Sequence, residues 1–574
     1  MLDLQPIIKI SITKIVIRFY NYPTLRNFCS IRCGLCFIKS LVLKNYIPNH
    51  MRAKTFQKIT LTILLLISIN LCAQDGVLDQ TFGNNGIAST DIDNLYDVCS
   101  DMKIQPDGKI IVVGHTSSGS TANKESIIIR YNADGSLDTT FGTNGIIVAA
   151  FSTQYDTLNA VEVQADGSIV VGGYTQNDFL LARFTPNGQP DSSFGTNGVV
   201  LTNYYMSIVS SSEDGINCIA IQDDGKILVG GFANYFSSSP YAIARYNTDG
   251  SLDNTFGTDG KTLLNHNFNL SSGEKEIFDI IITAEGQFYA VGKAEQSHNS
   301  AYFDQMIAKF NSDGSLDTSF AVNGVRHFSL NFDSLFKEIK FQDDGKMVIV
   351  GNRGVAMTIV RLTENGVLDT TFNEDGRHTP AFPTLGGVAG FAESVSIQPD
   401  GKILMSGTVN GTGGEPTSVV VRYLPNGEFD PTFSDDGIFN IFVADAYQGG
   451  GFSAFQPNGM LVVGGDFYNG SGPTTDVYLY RITAALLSTD GFSDADFVAY
   501  PNPVSNILYI QTGGDAFTGM YKLFSIDGKE VKIDPVQNLS GDLTEIDFTH
   551  LTSGVYLLST EGSDTRSITR IIKE

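Results

Sequence analysis

Between about residues 76 and 485 the chain alternates short apolar runs with polar, glycine-bearing turns. The clearest phrase sets two apolar runs around a turn: IQPDGKIIVVG from Ile104, VQADGSIVVGG from Val163, IQDDGKILVGG from Ile221, FQDDGKMVIVG from Phe341 and IQPDGKILMSG from Ile397. Looser copies begin at Thr283 and Phe455. Short β-branched runs bounded by such turns predict strands, and their near-continuous apolarity predicts sheets covered on both faces. Gly after Asp takes φ > 0 and closes a hairpin, so the phrase predicts two paired strands, a and b. A third strand, c, runs into a turn in IIIRYNADGS from Ile127, ARYNTDGS from Ala244 and AKFNSDGS from Ala308.

A third phrase fixes the period. LDQTFGNNG at Leu78 returns as LDTTFGTNG at Leu137, PDSSFGTNG at Pro190, LDNTFGTDG at Leu252, LDTSFAVNG at Leu316, LDTTFNEDG at Leu368 and FDPTFSDDG at Phe429. The aromatic anchors are Phe82, Phe141, Phe194, Phe256, Phe320, Phe372 and Phe433. They read as plugs between units, each beside an Asp-capped turn. A strand d follows each anchor. Four antiparallel strands repeated seven times predict an all-β, seven-bladed propeller, with a linear solenoid as the alternative. The array opens on a lone anchor and strand d, Gly86 to Ser89, and closes on a c strand, VYLYRI from Val477, with no d strand after it. The orphan strand is therefore expected to complete the last blade and remove exposed sheet edges.

Both ends carry different material. Residues 1–50 hold seven basic side chains and one acid, and Met51 opens a basic, then apolar, then small-residue stretch ending at Cys72-Ala73. That order is a secretory signal peptide over 51–73, cleaved between Ala73 and Gln74, with residues 1–50 read as an upstream artefact of a mis-assigned start. Cys29, Cys33 and Cys36 fall in that discarded segment, leaving Cys99 and Cys218, which read as buried free thiols two repeats apart. Beyond the repeats, residues 486–496 form a polar linker. The phrases YPNPVSNILYIQT from Tyr500, YKLFSIDGKEVKI from Tyr521 and LTEIDFTHLTSGVYLLST from Leu543 then alternate apolar and polar residues, which predicts a small Ig-like β-sandwich over 497–574.

The whole chain carries a formal net charge of −25, and with the ten basic residues and one acid of the first 73 removed, residues 74–574 carry −34. Such a surface repels phosphate backbones and excludes nucleic acid as a partner. No apolar stretch of the mature part is read as membrane-spanning.

The repeat phrases resemble the delta-60 repeat family, bacterial repeats read as propeller blades, over about 76–485. The resemblance implies a fold and no activity. The C-terminal segment resembles the type A sorting domain of the type IX secretion system, the Por secretion tail. The motif is Tyr500, Pro501, Asn502 and Pro503, with Gly554 and Tyr556 in the later LTSGVY phrase. The chain departs from that pattern in ending on Glu574 rather than a basic residue such as Lys573. This second resemblance implies the type IX machinery as a partner, tail removal, and an extracellular or outer-membrane-surface location.

Catalytic motifs are scarce. His115, His266, His298, His327, His378 and His550 do not cluster, and no HExxH, CxxC, GxSxG or P-loop pattern follows residue 73. No cofactor is expected except calcium, for which Asn132, Asp134 and Asp138, with their repeats at Asn247 and Asn311, offer alternating oxygens without the Glu of an EF-hand. The same residues build such turns without metal. Strand a lines the channel in propellers, and four residues before each turn Gln it presents Asp101, Ala160, Cys218, Asp279, Glu338, Ser394 and Phe452. Asp101, Asp279 and Glu338 are the channel candidates, with Lys103 and Lys340 placed to neutralise them. Trp is missing, and Tyr204, Tyr205, Tyr235 and Phe236 offer a weaker stacking platform. Two readings follow. One is a non-catalytic binding or adhesion protein for a glycan or cell-surface ligand. The other is a secreted glycan hydrolase or lactonase using channel carboxylates and calcium.

Overall fold

A computed structural model describes residues 75–573 except 120–123, 153–154, 176–177, 205–213, 234–237, 265–272, 296–301, 329–332, 383–388, 411–415, 442–446, 469–473, 485–496, 501–503, 505, 513–519, 526–528, 533–536, 541–542 and 562–565. Within them every regular element is a strand. The chain enters through β1 (Ile87–Thr90) and then lays down β2 (Tyr96–Ile104), β3 (Ile110–Ser117), β4 (Lys124–Tyr131) and β5 (Ile146–Ala149) as one antiparallel sheet, β2-β3-β4-β5. Five more sheets repeat this a-b-c-d order, their a strands starting at Asp156, Asp214, Gly273, Ser334 and Gly390, and the fourth of the seven blades adds the short strand Ser238–Ser239 parallel to its a strand. The seventh is built from Tyr447–Phe455, Leu461–Tyr468 and Thr475–Ile482, and its fourth strand is β1. The register runs from Ile87 opposite Tyr480 to Thr90 opposite Val477, so the orphan strand lies one residue later than its sequence suggested.

A bulge gives strand a its shape. In all seven blades the register slips near the middle of that strand, for example between Cys99 and Asp101 and between Ile277 and Asp279. An extra residue there twists the strand and re-aims its side chains. The glycine of strand b is the counterpart. A Cβ on Gly114 would stand 1.8 Å from the Val98 carbonyl oxygen, and one on Gly173 would stand 1.9 Å from that of Thr157. In the first six blades the Gly that ends this run is therefore required by the close approach of strand a across from it.

Neighbouring sheets bury their facing sides together. One cluster joins Ile111, Val113 and Ile128 of the first blade to Leu158, Val161 and Ile169 of the second. Another joins Cys99, Met102 and Val112 of the first to Val462, Val477 and Leu479 of the seventh, with Phe82 among them. Cys99 and Cys218 are buried free thiols, as their strand positions suggested.

A polar latch sits on this packing. Arg130 on β4 donates from Nε to Asp138 Oδ2 at 2.8 Å, lies over the Phe141 ring at 4.4 Å, and donates from Nη1 to the Pro186 carbonyl of the next blade. Arg183 repeats the arrangement with Asp191, Phe194 and the Thr248 carbonyl, and Arg245 with Asp253, Phe256 and the Ser312 carbonyl. Lys309 substitutes in the fourth blade, 3.1 Å from Asp317. Arg481 uses residues from the other end of the repeat array: Nε bonds Asp79 at 2.8 Å, the guanidinium covers Phe82, and Nη1 reaches the Ala133 carbonyl at 2.6 Å. Burial alone would raise the Asp369 carboxyl. The Thr371 hydroxyl and N–H, with Arg361 and Lys346, outweigh it and hold the group at about 2.

The C-terminal segment forms two four-stranded sheets, which share a core of Val504, Leu508, Ile510, Leu523, Ile546, Phe548, Tyr556, Leu558 and Ile571. This is the expected sandwich.

The turn after strand c supplies a test. Gly314, at φ +84°, backs onto the Phe256 ring of the preceding blade, with 2.7 Å between that ring and a would-be Cβ, whereas Gly345, at φ +80°, has nothing within 4 Å. Gly345→Ala should cost only backbone strain, about 1 kcal/mol. Gly314→Ala should cost at least about 2 kcal/mol, because it also displaces the plug. Urea titrations of the two variants check this; equal losses would deny the plug its role between blades.

Candidate functional site

The bulges turn strand a toward a shared cavity of about 580 Å³. Its wall includes Asp101, Glu162, Asp279, Glu338 and Glu393, with Lys103, Lys337 and Lys340 opposing them, and among the described residues no histidine lines it. The three carboxylates singled out in the sequence do face one space. None of them is idle.

Asp101 accepts the Met102 N–H at 2.7 Å on Oδ1 and, on Oδ2, the Val161 N–H of the next blade at 2.8 Å. Asp279 does the same with Ile280 at 2.8 Å and Ile339 at 3.0 Å. Glu338 Oε2 accepts the Val395 N–H at 2.6 Å, and its Oε1 takes a hydrogen bond from Lys340. Where the chain has no acid at this position, the residue just before it (Asn159, Asn217) or the polar residue at it (Ser394) spans the seam. Asn159 Nδ2 donates to the Ile216 carbonyl at 2.9 Å, Asn217 Nδ2 to that of Ile277 at 3.0 Å, and Ser394 Oγ to that of Ser453 at 3.2 Å. Six consecutive seams, from the first blade to the seventh, thus carry one channel side chain bonded to the next blade's backbone.

The lysines partly follow expectation. Lys340 pairs with Glu338, but Lys103 pairs with Glu162 of the second blade rather than with Asp101. Lys337 lies 3.4 Å from Glu393. Counting a single position per repeat passed over Glu162 and Glu393. Glu162 lies two residues beyond Ala160, on the same side of the strand, and Glu393 is the bulge residue before Ser394. Burial pushes Asp101 up to about 7 against the pull of its two N–H donors and Lys103. Burial likewise raises Asp279 to about 6, with Lys340 lowering it and Glu338 raising it.

Other expected sites fare differently. In the calcium-like turns Asp134 Oδ1 accepts both the N–H and the hydroxyl of Ser136, and Asn132 turns its amide nitrogen, not its oxygen, toward Ser136. The turns at Asn247 and Asn311 are built identically. Tyr204 is no open platform: it is buried, 4.8 Å edge-on to Phe179, because the third-blade core closes over it. Tyr205, Tyr235 and Phe236 lie outside the described residues, as do Ala73, Gln74 and the Pro501-Asn502-Pro503 stretch. Tyr500 ends the strand Phe497–Tyr500, and Gly554 opens the strand Gly554–Glu561. Tyr556 is buried against Phe548 and donates its hydroxyl to the Thr552 carbonyl at 2.8 Å, so the LTSGVY phrase is a structural corner.

A β-propeller domain of unknown function, DUF5122, matches seven segments: 105–141, 164–194, 222–256, 302–320, 342–372, 398–433 and 456–485. Each segment falls in one blade. The chain belongs to the DUF5122 β-propeller family. Residues 498–574 match the secretion system C-terminal sorting domain, the Por secretion tail, so this DUF5122 propeller is cargo of the type IX secretion machinery, exported to the cell surface or extracellular space. Among the described residues no helix is long and apolar enough to cross a membrane. No curated protein matches the chain. Solved structures similar to it include a protein of unknown function from Dyadobacter fermentans, at 10% identity and TM-score 0.40 over 70% of this chain and 98% of that one. The polysaccharide lyase Uly1 is similar at 11% identity and TM-score 0.40, over 70% and 93%. A gluconolactonase from Xanthomonas campestris is similar at 13% identity and TM-score 0.30, over 55% and 84%. Likeness at this level carries no argument about activity.

The raised carboxyls make the fold sensitive to pH with a definite sign. An unfolded Asp titrates near 3.9, so ionising Asp101 and Asp279 in the fold costs stability that sets in as pH rises from about 4 to about 7. Unfolding free energy should fall across that window, and Asp101→Asn should make the fall shallower. A profile flat between those values, or an unchanged slope in the variant, would contradict the assignment.

Proposed function

We propose that the propeller is a non-catalytic binding module, working outside the cell on a polar ligand of the glycan or cell-surface type. One observation carries this reading: the channel carboxylates that could serve as acid and base are bonded to the backbone of the neighbouring blade. A general acid or base must exchange a proton with a substrate, and a carboxylate already accepting backbone N–H groups on both oxygens, or an N–H and a lysine, is poorly placed to do so. The same staples hold the cavity wall rigid, and a preformed polar pocket binds without paying to order itself.

The observation favouring an enzyme instead is Asp101, whose carboxyl sits at about 7, in the range a general acid uses. The two readings separate in one experiment. The exported protein is screened on a glycan array and incubated with polysaccharides and lactones, beside a folded Asp101→Ala, Asp279→Ala, Glu338→Ala variant. Binding to a glycan without turnover is the expected result. Turnover by the wild type that the variant lacks would overturn the binding reading.

A further inference from the structure

The seam between the seventh and first blades holds a group of acids outside the channel. Asp91 just after β1, Asp97 on β2 and Asp476 on the strand Thr475–Ile482 each place a carboxylate oxygen within 4.8 Å of the other two. Asp97 is fully buried. Its Oδ2 accepts the Ile92 N–H at 2.7 Å, while its Oδ1 has no hydrogen-bond partner. Thr116 stands opposite Asp97 on β3, with its hydroxyl toward the carboxylate. Asp91 is exposed and gives Oδ1 to the Asn94 N–H.

The repeat supplies its own control. Thr90 pairs with Val477 as Thr202 pairs with Phe179, so Asn203, Asp178 and Asp214 stand at the second–third seam where Asp91, Asp476 and Asp97 stand here. At that seam Asn203 Nδ2 donates to Asp178 Oδ1 at 2.6 Å. With Asp in place of Asn at position 91 the donor is gone and a third negative charge takes its place. Among the described residues, only the seventh–first seam gathers three such groups.

We propose that Asp91, Asp97 and Asp476 bind one calcium ion, which joins the first strands of the repeat array to its last. Three carboxylates with no nitrogen or sulfur donor form a hard oxygen site, suited to calcium rather than zinc or copper. Water reaches the site on the exposed Asp91 side and completes a coordination shell of six to eight oxygens. Export places this seam where calcium sites of modest affinity, with dissociation constants of about 10⁻⁴–10⁻³ M, are filled. The ion offsets the negative charge that Asp91 adds where Asn203 is neutral, and meets the Asp97 oxygen that accepts no hydrogen bond.

Thermal unfolding of the exported protein near neutral pH, in EDTA, in about 5 mM calcium and in about 5 mM magnesium, tests this. Calcium should raise the midpoint by about 2–5 °C and magnesium by less than half as much. Asp91→Asn, which recreates the Asn203 arrangement, should unfold in EDTA no earlier than the wild type, should lose the calcium response, and should bind one fewer calcium per chain in equilibrium dialysis. Asp476→Asn should also abolish the response, and it serves if the first variant does not fold. A wild type indifferent to calcium, or a folded Asp91→Asn that keeps the full response, would overturn the proposal.

Discussion

The structure depends on one repeated contact, a strand-c arginine bound at once to its own repeat and to the next. Apolar packing between sheets is strong but not directional, so it would tolerate small slips of one blade over another. The guanidinium removes that freedom. Its Nε is fixed by an aspartate eight residues on, its flat face by the anchor phenylalanine, and its Nη1 by a backbone carbonyl across the seam. A buried pair of this kind adds little net stability over an apolar one, yet removing one partner strands a buried charge. The contact therefore acts more on register than on total stability.

The latch also explains why residues 75–90 belong to the repeat array. No LDxTF phrase follows Arg481 in sequence, and Asp79 and Phe82 of the first such phrase take its place. Arg422 keeps its own Asp430 and Phe433, and its Nη1 reaches Asp75 at 2.9 Å where the Nη1 of Arg130, Arg183 and Arg245 reaches a backbone carbonyl. β1 completes the seventh sheet between these two contacts. Inside the array the channel side chains staple six seams, and the seventh–first seam uses other bonds, among them Thr475 Oγ1 to the Asp97 carbonyl and Gln456 Nε2 to that of Gly108. Polar residues that resemble an active site in sequence are consumed in holding blades together, which leaves a rigid, mixed-charge cavity.

Much of this was legible in the residues. Seven anchors and an apolar period set the blade count and strand order, because local turn chemistry and strand pattern agree throughout. The Asp-Gly hairpins behave as their sequence predicts, with Gln105 N–H bonded to the Lys109 carbonyl and Gly108 at φ +85°. The latch was half legible: the Asp and Phe were singled out, but the Arg of RYN, ARF and VRL was passed over as an ordinary strand residue. Its fixed distance of eight from the Asp was the available signal. The channel was legible in its location and not in its use. Which backbone N–H a carboxylate accepts depends on the bulge, and periodicity carries no trace of a one-residue slip. The pairing of Lys103 with Glu162 across a seam was hidden for the same reason.

The most direct test of the latch is hydrogen exchange of β1 in Arg481→Met, which keeps the bulk of the side chain and removes its donors. Asp79 keeps the Thr81 N–H and hydroxyl but loses its cation, which should cost about 1.5–3 kcal/mol at that seam. The amides of Ile87–Thr90 should then lose protection by about 10-fold or more, while the strand Asp214–Ile221, three seams away, keeps its own. Equal protection of Ile87–Thr90 in variant and wild type would contradict the claim that the arginine latch holds the blades in register.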